Sequence, residues 1–234
     1  MFRREPPLFA NRTEAGRLLA RPVQALGLRD PVVYALPRGG VPVAVEVAAA
    51  LGAPLDLVLV RKLGAPGQPE LAIGAVAEGV GTEPVLNAEI VAATGASEAY
   101  IAAARDREMA EIARRRARYM SGRAAVDPKG RTAVVIDDGL ATGATARAAL
   151  HALRRRGAAR IVLAVPVAAA EALAAMQGEA DEMVCLVKTK LFSGIGAFYR
   201  DFHQLSDAEV IAALASPEPP AQGRRVPRPG GRTG

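Results

Sequence analysis

Hydrophobic positions along the chain fall into short unbroken runs. PVVYAL at 31–36, LDLVLV at 55–60, RTAVVID at 131–137, ARIVLAVPV at 159–167 and EMVCLV at 182–187 are rich in branched residues. Runs of this length without polar alternation predict strands covered on both faces, as in a parallel sheet. Between them lie alanine-rich segments with helical spacing at 41–51, 97–119, 143–156 and 168–176. Strand alternating with helix predicts an α/β fold, an open, mostly parallel sheet with helices on both faces. Weak alternation in LAIGAVAEG, 71–79, predicts an extra hairpin, with Pro66, Gly67 and Pro69 making the segment before it a loop.

In open α/β sheets ligands sit beyond the carboxyl ends of the strands. Three strand ends carry unusual sequences: LPRGGVP at 36–42, VRKLGAPGQPE at 60–70 and IDDGLATGAT at 136–145. In the last, Gly139 and Gly143 permit backbone conformations closed to other residues, and Ala141 and Ala144 keep side chains out of the way. A helix beginning near Thr142 would aim the loop amides and its own positive end into one small space. Thr142 and Thr145 add hydroxyl donors, which makes a concave site for a phosphate monoester. The adjacent carboxylates of Asp137 and Asp138 repel phosphate but accept hydrogen bonds strongly, so their natural partners are sugar hydroxyls. Acids first and cradle next fits a ribose 5-phosphate laid along the loop. The lysine of the nucleoside triphosphate motif GxxxxGK(S/T) is missing, and so is the dinucleotide motif GxGxxG.

VVIDDGLATGAT, 134–145, resembles the phosphoribosyl-diphosphate (PRPP) signature of type I phosphoribosyltransferases, a hydrophobic run followed by two acids and a TG(G/A)T-like turn. The resemblance extends through roughly residues 30–205 and implies a small C-terminal hood, near 188–205, and a mobile lid hairpin. It implies that Asp137, Asp138, Gly139, Leu140, Ala141, Thr142, Gly143, Ala144 and Thr145 bind PRPP, with Mg²⁺ reached by Asp137 and Asp138. LPRGG resembles the family's diphosphate loop, which often has unusual backbone geometry, so Arg38, Gly39 and Gly40 would hold diphosphate.

VRKLGAPGQPELAIGAVAEG, 60–79, resembles the second-strand end and lid of the adenine-type members. Arg61 and Lys62 would then face the diphosphate or the neighbouring subunit's site, and Glu78 would be the lid acid near the base or leaving group. LFSGIGAFYRDF, 191–202, resembles the hood over the nucleobase, where Phe192 would stack on the base and Arg200 approach the diphosphate. Ala141 stands where hypoxanthine-guanine members carry an acid, which argues against that mechanism alone. The implied reaction is attack of a nucleobase-like nitrogen on C1 of PRPP with release of diphosphate, in a homodimer. The alternative is a PRPP- or nucleotide-sensing regulator without turnover, which would use the basic helices or tail for RNA or DNA; a phosphorylase-like or hydrolytic relative is a third reading.

Composition adjusts this picture at a few points. The 234 residues, half of them apolar, suit one domain over 1–215. The net charge of +6 invites a nucleic-acid reading, but the segment 216–234 holds four arginines and one glutamate, half of that charge, and reads as a disordered basic tail. Arg114, Arg115, Arg116 and Arg118, with Arg154 to Arg156, read as solvated helix faces, so nucleic acid is not an expected partner. The single cysteine, Cys185, reads as a small core residue and excludes an internal disulfide framework. With no signal-peptide pattern at the start and no apolar run long enough to span a bilayer, a cytoplasmic protein is expected. Neither His151 nor His203 fits a catalytic dyad, and no Cys/His cluster suggests zinc.

Overall fold

The computed structural model describes residues 8–79 and 83–215; the expected basic tail lies outside them. In chain order the elements are α1 (Arg12–Ala25), β1 (Pro31–Ala35), α2 (Gly40–Leu51), β2 (Leu55–Leu57), β3 (Val60–Ala65), β4 (Gln68–Ala77), β5 (Val85–Leu86), α3 (Ala88–Thr94) and α4 (Glu98–Tyr119). There follow β6 (Thr132–Ile136), α5 (Ala144–Arg155), β7 (Arg160–Ala169), α6 (Ala170–Ala175), β8 (Glu182–Thr189) and α7 (Asp207–Leu214), with a 3-10 turn at Ile195–Phe198 before α7.

Five strands form a parallel sheet in the order β2-β1-β6-β7-β8. Its unbroken apolar runs are explained by the layers on each side. Val33, Ala35, Val134 and Ile136 point into a core shared with α1, α2 and α7, while Val32, Tyr34, Val135 and Leu163 point into one shared with α5 and α6. Neither face is left for water, so no alternation is written into the sequence. The edge strand β8 departs from the expectation of full burial: its residues, Cys185 included, are half-buried, and Lys188 is exposed.

The hairpin is larger than its sequence suggests. The stretch read as a loop before it is strand β3, Pro66 and Gly67 form its turn, and β3, β4 and β5 make a separate antiparallel sheet. Helix α4 lies along that sheet, and an ionic cluster fastens both to the edge of the main sheet. Arg116 grips the fully buried Asp56 of β2 with two bonds of 2.7 and 2.9 Å, and donates to Leu57 O at 3.0 Å and to Glu78 Oε1 at 2.9 Å. Asp56 also accepts from the Val126 amide at 2.8 Å. Arg116 is therefore not a solvated helix-face residue as its cluster suggested; its fork satisfies two carboxylates that burial would otherwise make costly. Arg156, with one bond to Val126 O at 3.0 Å, is likewise drawn inward.

Helix α1, not anticipated from the sequence, is started by Asn11, whose side chain accepts from the Glu14 amide at 2.9 Å. It crosses α2 closely enough that a Cβ on Gly16 would meet Val43 O at 2.7 Å. No helix among the described residues is long and apolar enough to cross a membrane.

Arg116→Met should leave Asp56 charged and buried without its partner, lowering stability by about 3–5 kcal/mol. Denaturant unfolding measures it; a loss below about 1 kcal/mol would show that the cluster behaves like an exposed ion pair.

Candidate active site

The ends of β1 and β6, neighbours in the sheet, deliver two loops side by side. After β6 the chain leaves the sheet at Asp137 and is anchored again at Leu140, whose amide donates to Val167 O at 2.8 Å and whose carbonyl accepts from Ala169 at 2.9 Å. Between that anchor and the first helical bond of α5, from Arg147 N to Gly143 O, no acceptor among the described residues takes the amides of Ala141 to Ala146. Gly143 holds φ +80°, a left-handed conformation at the helix start, and no side chain caps it. These are the orphan donors of a helix N-terminus, gathered with the loop amides before them. Thr142 and Ala144 are exposed beside them and Thr145 is half-buried.

After β1, the Pro37–Arg38 peptide is cis and the amides of Arg38 and Gly39 have no acceptor among the described residues, while Gly40 N is bonded to Leu36 O at 3.0 Å. Arg38 is a third exposed and loosely paired, with Nη1 at 3.9 Å from Asp207 Oδ1. Gly39 lies directly against the second acid: a Cβ there would sit 2.0 Å from Asp138 Oδ2. Gly40 is as tightly packed, with Ile136 O 2.6 Å from where its Cβ would be.

The two aspartates differ in surroundings. Asp138 is buried, accepts from Arg12 Nε at 2.8 Å through Oδ2, and its backbone carbonyl accepts from the Tyr199 hydroxyl at 2.6 Å. Asp137 is half-buried, and its Oδ1 accepts from the Asp138 amide at 2.9 Å. Burial, then the neighbouring Asp138, push the Asp137 carboxyl well above the usual carboxylate range. Burial also raises that of Asp138, which Arg12 pulls back. Gly139, behind them, touches the hood, where a Cβ would meet Ile195 at 2.7 Å.

The structure separates the remaining residues singled out from the sequence. Lys62, together with Thr142, Ala144 and Arg147, lines a cavity of about 750 Å³ between the loop after β6 and the hairpin. Arg61, its neighbour on β3, points the other way, to Glu108 of α4 at 2.9 Å. Glu78 is held by Arg116 and by the Leu59 amide at 3.3 Å, so its carboxylate fastens the hairpin to the sheet instead of facing the loop. Phe192 stacks on Phe198 within the hood, ring centres 5.8 Å apart. Arg200 is exposed; its amide donates to Phe9 O at 2.8 Å and its side chain has no partner among the described residues. His151 pairs with Glu179 and His203 with Asp201 and Glu209, away from both loops.

Arg12 and Tyr199 are the participants that sequence reasoning missed. Tyr199 stands within LFSGIGAFYRDF, where the resemblance gave roles only to Phe192 and Arg200. The signal available for Arg12 was the cap Asn11–Glu14, which marks a helix start but not what its first residue reaches.

Comparison with known proteins gives the family. The phosphoribosyl transferase domain family matches residues 10–202. Two Mycobacterium tuberculosis proteins, provisionally named phosphoribosyl transferases, are each 49% identical over 208 residues, 88% of this chain and 46% of theirs. The chain thus spans less than half the length of these curated relatives. The crystal structure of TT1426 from Thermus thermophilus superposes with a TM-score of 0.76 at 45% identity, covering 88% of this chain and 97% of that one.

A carboxyl group whose proton is held more tightly in the folded than in the unfolded chain costs stability as pH rises above its unfolded value of about 4. Asp137→Asn should therefore raise the melting temperature at neutral pH and flatten the fall in stability between acid and neutral pH. Melting curves across that range check it; an unchanged profile would mean that Asp137 titrates normally. Gly39→Ala should act oppositely, since its methyl group would displace the Asp138 carboxylate, at a cost of about 1–3 kcal/mol.

Proposed function

The chain belongs to the phosphoribosyl transferase family, and from that premise we propose that it transfers the 5-phosphoribosyl group of PRPP to a nitrogen of a nucleobase-like acceptor, releasing diphosphate. The observation that carries this reading is the run of uncommitted amides from Ala141 to Ala146 beside a second set at Arg38 and Gly39. Two anion cradles at neighbouring strand ends suit a molecule with a phosphate at one end and a diphosphate at the other. A carboxylate between them suits the ribose.

In this reading the 5-phosphate lies on the amides of 141–146 and the hydroxyls of Thr142 and Thr145. Asp137 accepts from the ribose hydroxyls. Arg38 and the amides of Arg38 and Gly39 meet the diphosphate, whose charge grows as the bond to C1 breaks. Donors already fixed where charge develops lower the barrier most. Lys62, facing the cavity beside Thr142, adds a mobile cation on the hairpin side. The hood residues 192–202 close over the acceptor, and excluding water there keeps PRPP from hydrolysis.

No group of three or more His, Cys, Asp or Glu side chains converges among the described residues. Mg²⁺ is commonly held by one or two protein carboxylates together with substrate phosphates. Asp137, half-buried at the strand end, has a carboxylate of that kind and would hold the ion. When bound, the ion would neutralise charge on the diphosphate.

Glu78 is paired with Arg116, so its carboxylate does not argue for turnover. The second reading is therefore a regulator that binds PRPP or a nucleotide in the same pocket without turnover. One assay separates the two: diphosphate release from PRPP with Mg²⁺ against a panel of purines, pyrimidines and small amines. Acceptor-dependent release, lowered about 100-fold by Arg38→Ala, is expected. PRPP binding without release under any acceptor would select the sensor, and absence of PRPP binding would overturn both.

A further inference from the structure

The two adjacent aspartates are held by different partners. Asp138 is enclosed: Arg12 Nε lies 2.8 Å from Oδ2, the Gly39 backbone packs directly against the same oxygen, and both side chains of the ion pair are about a tenth exposed, at 9% and 10%. Arg12 is itself fixed from the hood. Its Nη1 donates to His203 O at 3.0 Å, and its guanidinium lies 3.8 Å from the centre of the Phe202 ring. That ring packs against Tyr199 at 5.0 Å between centroids, and Tyr199 returns to the loop through its hydroxyl on Asp138 O. The segment before α1 pairs with the hood as well, Phe9 N with Phe198 O at 3.0 Å and Asp201 N with Ala10 O at 2.9 Å.

We infer that Arg12 is a positioning residue that withholds Asp138 from the sugar and makes it the joint between hood, phosphate loop and diphosphate loop, leaving Asp137 as the single carboxylate that meets the ribose. The inference rests on the reading that these loops take PRPP. It follows from geometry and from what each carboxylate has left to give. A buried carboxylate bonded to a guanidinium that is itself stacked and hydrogen-bonded gives up that partner at a cost, because both charges would be left unpaired. Asp137 accepts one backbone bond, from the next residue's amide, and lies against the Asp138 carboxyl, but no ion pair among the described residues holds it, so a ligand has no cation to displace there. Because Oδ2 of Asp138 rests on Gly39, the position of Arg12 also sets the spacing of the two loops that would hold the ends of one substrate. A shift of about 1 Å in such spacing is enough to change rates by two orders of magnitude.

The test uses the full chain with PRPP titrated calorimetrically in the absence of acceptor, steady-state turnover on the best acceptor, and denaturant unfolding of each variant. Asp138→Asn preserves an oxygen for Arg12 and should weaken PRPP binding by less than about tenfold, whereas Asp137→Asn should weaken it by about 100-fold. Arg12→Met should lower kcat more than it raises the KM for PRPP, with partial recovery in Arg12→Lys, which keeps the charge but loses the fork and the stacking. In unfolding, Arg12→Met and Asp138→Asn together should perturb the equilibrium constant about tenfold less than the product of the single effects. A wild type without PRPP affinity overturns the functional reading. Additive unfolding effects, or a PRPP affinity lost as much in Asp138→Asn as in Asp137→Asn, overturn the inference.

Discussion

Asp138 lies where the side chain of residue 39 would otherwise be. That contact is the constraint on which the rest of the site depends. Only a residue without a Cβ at 39 lets the loop after β1 pass so near the loop after β6. The carboxylate in between is then sealed from water and needs a cation, which comes from the first residue of α1, 126 positions earlier in the chain. The helix that carries that cation and the hood that clamps it are thereby committed to one arrangement. The active-site architecture is in this sense an answer to the problem of burying one charge.

The amides follow a complementary logic. The first amides of a helix have no partner inside it, so the donors at the start of α5, with those of Arg38 and Gly39 beside them, face the open space before the helix. On the proposed reading an anion fills that space. These donors and Asp137, an acid with a tightly held proton, are gathered at one edge of an otherwise well-paired sheet. The hairpin edge shows the contrast: there Asp56 and Glu78 are fully answered by Arg116, and nothing remains for a ligand.

Much of this was legible in the sequence where the physics is local. The five strands of the main sheet announced themselves as continuous branched runs, and the loop from Asp137 to Thr145 stood out as the strand end where two acids are followed by glycines, small residues and hydroxyls. Strand β3 was hidden because its lysine, arginine and glycine lack any period. Helices α1 and α7 were missed although each has a readable start, Asn11 with Glu14 and the capping box of Ser206 with Glu209. What no local pattern could supply was partnership: that Arg116 turns inward to two acids, that Arg61 and Lys62 part company across a strand, and that Arg12 claims one member of the aspartate pair.

The central claim is that the amides from Ala141 to Ala146 are a phosphate cradle waiting for a ribose phosphate. Amide chemical shifts of the full chain, recorded as ribose 5-phosphate is added, address it residue by residue. The account predicts saturable shifts centred on Thr142, Gly143, Ala144 and Thr145, extending to Asp137 and Gly139. Shifts confined to the hairpin or to the arginine-bearing faces of α4 and α5, with the loop unmoved, would contradict it.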